Sequence, residues 1–409
     1  MKNSILWSKN FKLLMCASTL GAMGGIAGSY AMSFLVFDQT GSTLATGFLT
    51  AIQFLPHFLL PIFVAPWMDR FPRKPCLVFG DAFSGILFAI VGLYLRHFSF
   101  SYWVYLAFSL LINSINAFDA LAFNCIFPKV IPQGCEEQGY AVCGMLYPVL
   151  NVLIMPVAAF LMEEVGIPNI LLIQSGLSFL AAITENEIVL QETVRFDGEK
   201  SGFSLWYQDL QEGFSYLRGE KGLLKIYAYD AVANGSGTAF GPILVAFFRT
   251  APGLSAQLYA FFSAAEFIGR SFGGFVRYKQ GINPKNRRKF VYNVQQFYNL
   301  MDAILLWLPY PWMLLNRGIC GFLGINSATV RMSAIARYLP EEYRARVNAF
   351  SSTIVCVFGS ISAIVLGTIG EVMDYRMALT LASGVCMVLC WLTVGRNKEQ
   401  LDPIYLYES

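Results

Sequence analysis

The chain has 409 residues, of which 56% are hydrophobic, 15% aromatic and only 13% charged, about half the charged share of an ordinary soluble domain. That composition excludes a soluble globule, and 29 Lys and Arg against 26 Asp and Glu leave no basic excess for a nucleic-acid binder. At about 20 apolar residues per bilayer crossing, the length holds twelve crossings with short loops and no separate soluble domain.

The first apolar run, Leu13–Val36, carries Gly21, Gly24, Gly25 and Gly28 and continues into Asp38-Gln39-Thr40-Gly41, so it reads as a retained span rather than a cleaved leader. Span 2 is Leu44–Val64. It leads into a short turn, Ala65-Pro66-Trp67-Met68-Asp69-Arg70-Phe71-Pro72-Arg73-Lys74, in which a carboxylate precedes a basic cluster able to pin two helix ends. Span 3 is Cys76–Leu95. Span 4, Tyr102–Phe127, holds Asn113, Asn116, Asp119 and Asn124, and span 5, Ala141–Leu161, holds Pro156. Span 6, Ile170–Ile183, is short and is expected to extend through Glu185 and Glu187 to Leu190.

A polar stretch, residues 191–222, then separates this half from six further runs. Span 7, Leu223–Phe248, contains Asp230, Gly235, Gly237 and Gly241-Pro242. Span 8, Leu258–Val276, contains Glu266 and Arg270 at i,i+4 spacing with the acid first, the favourable order for an ion pair within a helix. Spans 9 and 10, Phe290–Leu308 and Trp312–Ala336, carry Asp302, Arg317 and Arg331; spans 11 and 12 are Ala349–Ile369 and Met377–Val394. The expected architecture is all-α, with residues 1–190 and 223–396 as two pseudo-symmetric six-helix bundles, 191–222 as a cytoplasmic linker with an amphipathic helix, and 397–409 as a short cytoplasmic tail.

Positive residues are retained on the cytoplasmic side of a membrane. With the N-terminus inside, 23 of the 29 Lys and Arg fall in inner segments, and only Arg96, Arg249 and Arg376 fall outside. This predicts both termini in the cytoplasm, an even number of crossings and residence in the cytoplasmic membrane. The nine cysteines show no paired CxxC spacing and His57 and His97 are isolated from them, so neither a disulfide framework nor a metal site is expected.

The turn around Asp69 resembles the loop 2–3 signature of the major facilitator superfamily, a conformational latch, with Asp69, Arg70, Arg73 and Lys74 matching and Ala65 and Pro72 in place of two glycines. Asn10-Phe11-Lys12-Leu13 with Phe37–Ser42, Asp209–Leu217, and the string Leu339-Pro340-Glu341-Glu342-Tyr343-Arg344-Ala345-Arg346-Val347 resemble the drug-exporter branch that includes macrolide-efflux and siderophore-exporter proteins. Ile131–Glu137 echoes that last string in the first half, as an internal repeat would. The resemblance implies twelve transmembrane helices in the major facilitator fold, with helices 1, 4, 7 and 10 lining a central path. This chain departs from the branch at Gly24-Gly25, where an acid is common, at Met155-Pro156, which keeps the proline of a Gly-Pro kink, and in helix 4, which lacks an arginine.

An ionisable side chain inside a span costs about 2.5–3.5 kcal/mol on insertion scales, so each needs a partner or water. Asp119, Asp230 and Arg331 all lie roughly 8–12 Å from the inner end at about 1.5 Å per residue, and are expected to form one polar cluster. Two readings fit it: a substrate or proton-coupling site extended by Asn113 and Asn116, or a structural salt bridge between bundles. Glu266 with Arg270, and Asp302 with Arg317, are expected to be structural ion pairs. Gly24, Gly25, Pro156, Gly241 and Pro242 are candidate gating or kink positions.

The expected function is secondary transport by alternating access, most simply export of apolar or amphipathic organic molecules, with protons as candidate coupling ion. The bilayer and the small-molecule substrate are the expected partners, without nucleic acid, ATP or cofactor. The competing reading is a receptor or lipid-handling protein built on the same fold. No HExxH, GxSxG or Gly-rich GK[ST] motif supports an enzyme.

Overall fold

The computed structural model describes residues 6–68, 73–132, 135–189, 211, 215–279 and 282–406, and among these every regular element is helical. Twelve long helices follow one another: α1 (Lys9–Thr40), α2 (Thr43–Met68), α3 (Arg73–His97), α4 (Tyr102–Val130), α5 (Glu136–Glu164), α6 (Ile167–Asn186), α7 (Lys221–Thr250), α8 (Ala256–Lys279), α9 (Pro284–Leu305), α10 (Tyr310–Tyr338), α11 (Glu341–Val372) and α12 (Tyr375–Cys390). A π-helical turn, Trp391–Gly395, extends α12, and a short α13 (Lys398–Leu406) closes the described chain. Eight of the long helices, α1, α3 to α7, α11 and α12, are long and apolar enough to cross a membrane.

The helix ends are written in local chemistry. Ser8 caps α1 by accepting a hydrogen bond from the Phe11 N–H, and Gly41 ends it at φ 63°, a left-handed conformation that costs glycine least. Asn283 before Pro284 opens α9, and Asp374 opens α12 by accepting the Arg376 N–H.

Most helices outrun the apolar stretches that announce them, because backbone hydrogen bonding continues past the last apolar side chain. The Pro-Glu-Glu string read as a loop is largely helix: Pro340 is the N-cap of α11, and Glu341 and Glu342 sit in its first turn, where acids suit the helix dipole. Its echo behaves alike, with α5 beginning at Glu136. Span 6 ends at Asn186 rather than Leu190, and span 9 ends as helix at Leu305, three residues before its apolar run does.

The helices form two compact units. Unit 1 comprises Met1–Gly41 and Ile52–Ser201; unit 2 comprises Ser42–Ala51 and Gly202–Ser409, so the start of α2 belongs to the second. In unit 1, α6 packs on α3 and α1, α3 on α4, and α1 on α5. In unit 2, α12 packs on α9 and α7, α9 on α10, and α7 on α11. The pairings repeat with an offset of six helices, which is the internal repeat in three dimensions.

Among the described residues of unit 1 two apolar clusters stand out. One gathers Phe11, Leu14, Leu77, Ile126 and Phe127; the other gathers Met32, Leu35, Phe88, Tyr105 and Leu171. On α1 the first ends at Met15 and the second begins at Met32. Unit 2 packs around α7, whose most apolar window is 72% buried against 28% for that of α11. Phe79, Trp103, Phe272 and Val365 are among many large apolar side chains left exposed on the two units, the surface a lipid-facing helix presents.

Candidate functional site

Unit 1 holds a half-open cavity of about 340 Å³ against its second apolar cluster. Helix α1 contributes Gly25, Gly28 and Ser29, α2 contributes Gln53 and His57, and α4 contributes Ser109, Asn113 and Asn116, with Tyr147 from α5 and Gln174 from α6. Ile26, Met32, Phe88, Phe108 and Ile112 supply an apolar wall. The polar lining groups are amides, hydroxyls and one imidazole, none of them a fixed charge. Asn113 is tied to its own helix by donating to the Ser109 carbonyl at 2.8 Å, and it is also in hydrogen-bond reach of His57.

Glycine explains how Gln174 reaches this space. A Cβ built at Gly24 falls 2.9 Å from its Cγ, and one built at Gly28 falls 1.8 Å from its Oε1. Any larger residue at either position displaces the amide. Gly25, by contrast, faces open space with nothing within 4 Å. Gln174 is 5% exposed and its Oε1 has no hydrogen-bond partner; Ser109, at 2%, has an unpartnered Oγ.

Asn116 leads one turn along α4 to Asp119, whose described neighbours are acids. Asp81 on α3 and Glu185 on α6 lie close enough to Asp119 to repel it electrostatically. The Asp119 carboxylate rests directly on α3, where a Cβ at Gly80 would fall 1.9 Å from Oδ1. Asp119 Oδ1 and Glu185 Oε2 are buried without hydrogen-bond partners. Among the described residues no three such side chains converge as metal ligands do.

Asp230 and Arg331 are joined within unit 2. Arg331 Nη2 lies 2.5 Å from Asp230 Oδ1, its guanidinium stacks over Tyr229 at 5.2 Å, and Asp230 also accepts from Asn234 at 2.7 Å. Of the three residues expected to cluster, Asp230 and Arg331 pair within unit 2, and Asp119 in unit 1 has acidic neighbours of its own.

Four further charges of unit 2 make one network. Arg317 on α10 pairs with Asp302 on α9 at 2.9 Å and lies 3.9 Å from Glu266 on α8, which holds Arg270 at 2.8 Å. Tyr298 and the ring of Phe262 also contact Arg317. Asp302 and Arg317 are almost fully buried, a setting in which ion pairs persist only when well paired.

Of the latch residues, Asp69 and Arg70 lie outside the described residues. Lys74 donates to the Asn186 carbonyl at 2.6 Å, capping the last turn of α6, and Arg73 starts α3. Pro156 lies inside α5 and Pro242 inside α7, each removing one backbone donor, while Gly241 has nothing within 4 Å.

Sequence reading passed over Asp81, Gln174, Gln53 and the cavity position of His57. Asp81 had a plain signal, a lone acid in an apolar run. Gln174 had half of one: a polar residue in span 6 is visible, but its passage between Gly24 and Gly28 is not.

Residues 13–294 match the Major Facilitator Superfamily. Macrolide efflux protein A of Streptococcus pyogenes is 23% identical over 228 residues, which are 54% of this chain and 54% of that protein, so the chain matches about half the length of that relative. Among solved structures, a point mutant of the nucleoside transporter NupG superposes with a TM-score of 0.75 at 10% identity, covering 96% of this chain and 100% of that one. A bacterial homolog of the human lysosomal transporter Spinster, inward-facing and unoccupied, superposes with a TM-score of 0.69 at 14% identity, covering 97% and 96%.

Proposed function

The chain belongs to the Major Facilitator Superfamily, so it is a multi-pass membrane transporter of small molecules, and on that premise we propose that it is an exporter working by alternating access. Its cargo is an amphipathic organic molecule held in the unit 1 cavity. One observation carries the reading: the cavity combines amides and hydroxyls with an apolar wall, and Asn116 in its lining stands one helical turn from Asp119, which has Asp81 and Glu185 as acidic neighbours. Twelve crossings with both termini in the cytoplasm accommodate the distribution of Lys and Arg. The likeness to a macrolide efflux protein supports the outward direction.

Protons are the proposed coupling ion. Carboxyl groups packed together without a cation disfavour simultaneous ionisation, so Asp81, Asp119 and Glu185 can take up a proton on one side and lose it when water reaches them from the other. The Asp230–Arg331 pair is internally neutralised and serves in this scheme to hold α7 against α10. Flux of a substrate panel from proteoliposomes, with and without an imposed pH gradient, tests the scheme. Gradient-driven flux that Asp119→Asn abolishes supports it; flux equally driven in that variant removes Asp119 from coupling. Binding without translocation of any compound favours a receptor.

A further inference from the structure

We propose that the unit 1 cavity selects an electrically neutral ligand bearing hydrogen-bond donors, with Gln174 and Ser109 as the selecting groups. The inference rests on the reading of this cavity as the transport site and names what that site accepts.

The lining argues for neutrality. A cationic ligand calls for a carboxylate or a cage of aromatic faces, and an anionic one for Arg, Lys or a helix N-terminus. Among the described lining residues there is no carboxylate, Arg or Lys, and of the Phe and Tyr rings present Phe88 and Phe108 pack edge to face on each other at 5.2 Å, leaving Tyr147 as a single further ring. The acids nearest to it are beyond Asn116, with Asp119 pressed on the α3 backbone at Gly80 rather than facing the cavity residues. What the wall does offer is neutral amide and hydroxyl groups around an apolar side of Ile26, Phe88, Phe108 and Ile112.

The two orphan atoms argue for donors on the ligand. Gln174 Oε1 is an acceptor only, buried and unpaired; Ser109 Oγ is buried and unpaired beside it in the same lining. Leaving a buried polar atom unsatisfied is costly, and two glycines on α1 are spent on bringing Gln174 there. Gln174 lines the cavity, so rotation of its amide off Gly28 lets an N–H or O–H on the ligand satisfy Oε1, which a ligand lacking that group leaves bare. Sites of this kind reject analogues that lack the hydrogen-bonding group far more strongly than apolar pockets reject a missing methylene. About 340 Å³ lies at the lower end of the ~300–1,000 Å³ of ligand pockets, so the recognised group is a compact one, either a small ligand or the polar end of a larger one.

The test is equilibrium binding to the purified full-length protein in detergent, read by thermal shift and by dialysis. Three probes share one aromatic scaffold and differ only in a primary carboxamide, an ammonium or a carboxylate. The carboxamide is expected to bind and the two ions to bind at least about tenfold more weakly. Gln174→Leu is expected to weaken carboxamide binding at least about tenfold, with Ser109→Ala, a truncation that introduces no strain, weakening it less. The melting temperature without ligand checks that each variant folds; if Gln174→Leu does not, Gln174→Met and Ser109→Ala carry the comparison. Preference for either ion, unchanged affinity in the variants, or no binding of any probe overturns the proposal. Carboxamide binding that is never followed by flux overturns the transport reading instead and leaves this one standing.

Discussion

Glu371 Oε1, at the end of α11, accepts the backbone N–H of Leu44 at 2.9 Å and so caps α2 from another helix. The same oxygen accepts from the hydroxyls of Ser42 at 2.6 Å and Thr43 at 3.2 Å. Helix α2 starts at Thr43 with no acid of its own in the first turn, and Glu371 supplies the missing carboxylate. Close packing makes this possible: a Cβ at Gly367 would fall 2.7 Å from the Thr43 carbonyl oxygen. Removing an N-cap costs about 0.5–2 kcal/mol. Glu371→Ala is therefore expected to lower the melting temperature of the purified protein, and Glu371→Gln, which keeps an acceptor, to lower it less. Equal stability of all three proteins would count against the cap.

The Asp230–Arg331 pair gives a sharper expectation. Breaking a buried ion pair by removing one partner costs about 3–5 kcal/mol because the other charge is left uncompensated. Arg331→Ala and Asp230→Asn each remove one partner, and the double variant should be less damaged than the sum of the two. A double-mutant cycle on thermal stability measures this; strict additivity means that the two side chains do not interact.

The acids of unit 1 are expected to behave in the opposite way. Asp119→Asn removes one of three mutually repelling groups, so its stability should equal or exceed that of the parent while proton-driven flux falls. A large loss of stability in that variant would instead place an unseen cation against Asp119.

The C-terminal helix is a structural part of unit 2. Leu401, Ile404 and Tyr405 on α13 are at most 1% exposed, and Asp402 pairs with Arg288 on α9 at 2.5 Å. Truncating a buried Leu or Ile to Ala costs about 2–5 kcal/mol. Leu401→Ala and Ile404→Ala are accordingly expected to lower the melting temperature substantially, and limited proteolysis should then cut near residue 398. Variants as stable and as resistant as the parent would show that α13 is dispensable.

Much of this architecture was legible before any coordinates. Hydrophobic runs fall on the twelve long helices described, eight of which are long and apolar enough to cross a membrane, since a segment of about 20 apolar residues has few alternatives to a helix in lipid. The i,i+4 pair Glu266 and Arg270 was legible too, because helical geometry alone brings such residues together. Boundaries were less so: the Pro-Glu-Glu string reads as a loop by polarity, yet its acids are good first-turn residues, and α11 begins there.

The site was legible only in its ingredients. Sequence marked Asn113, Asn116 and Asp119 as polar residues spaced along one helix, and it marked the glycines of α1 without saying what they face. That the same glycines admit Gln174 from α6, more than 140 residues away, depends on how two helices cross. The partner of a membrane charge is decided in the same way. Depth along the helix sets Asp119, Asp230 and Arg331 at one level, because sequence gives rise per residue but not azimuth. Packing then joined Arg331 to Asp230 and set Asp119 beside Asp81 and Glu185. By itself the sequence determined a helical membrane transporter fold and where its scarce charges fall along each helix. Which of those charges neutralise one another, and which polar atoms remain unsatisfied around a cavity, was decided only by tertiary packing, because a contact between helices is set by rotation about their axes and the pattern along the chain does not encode it.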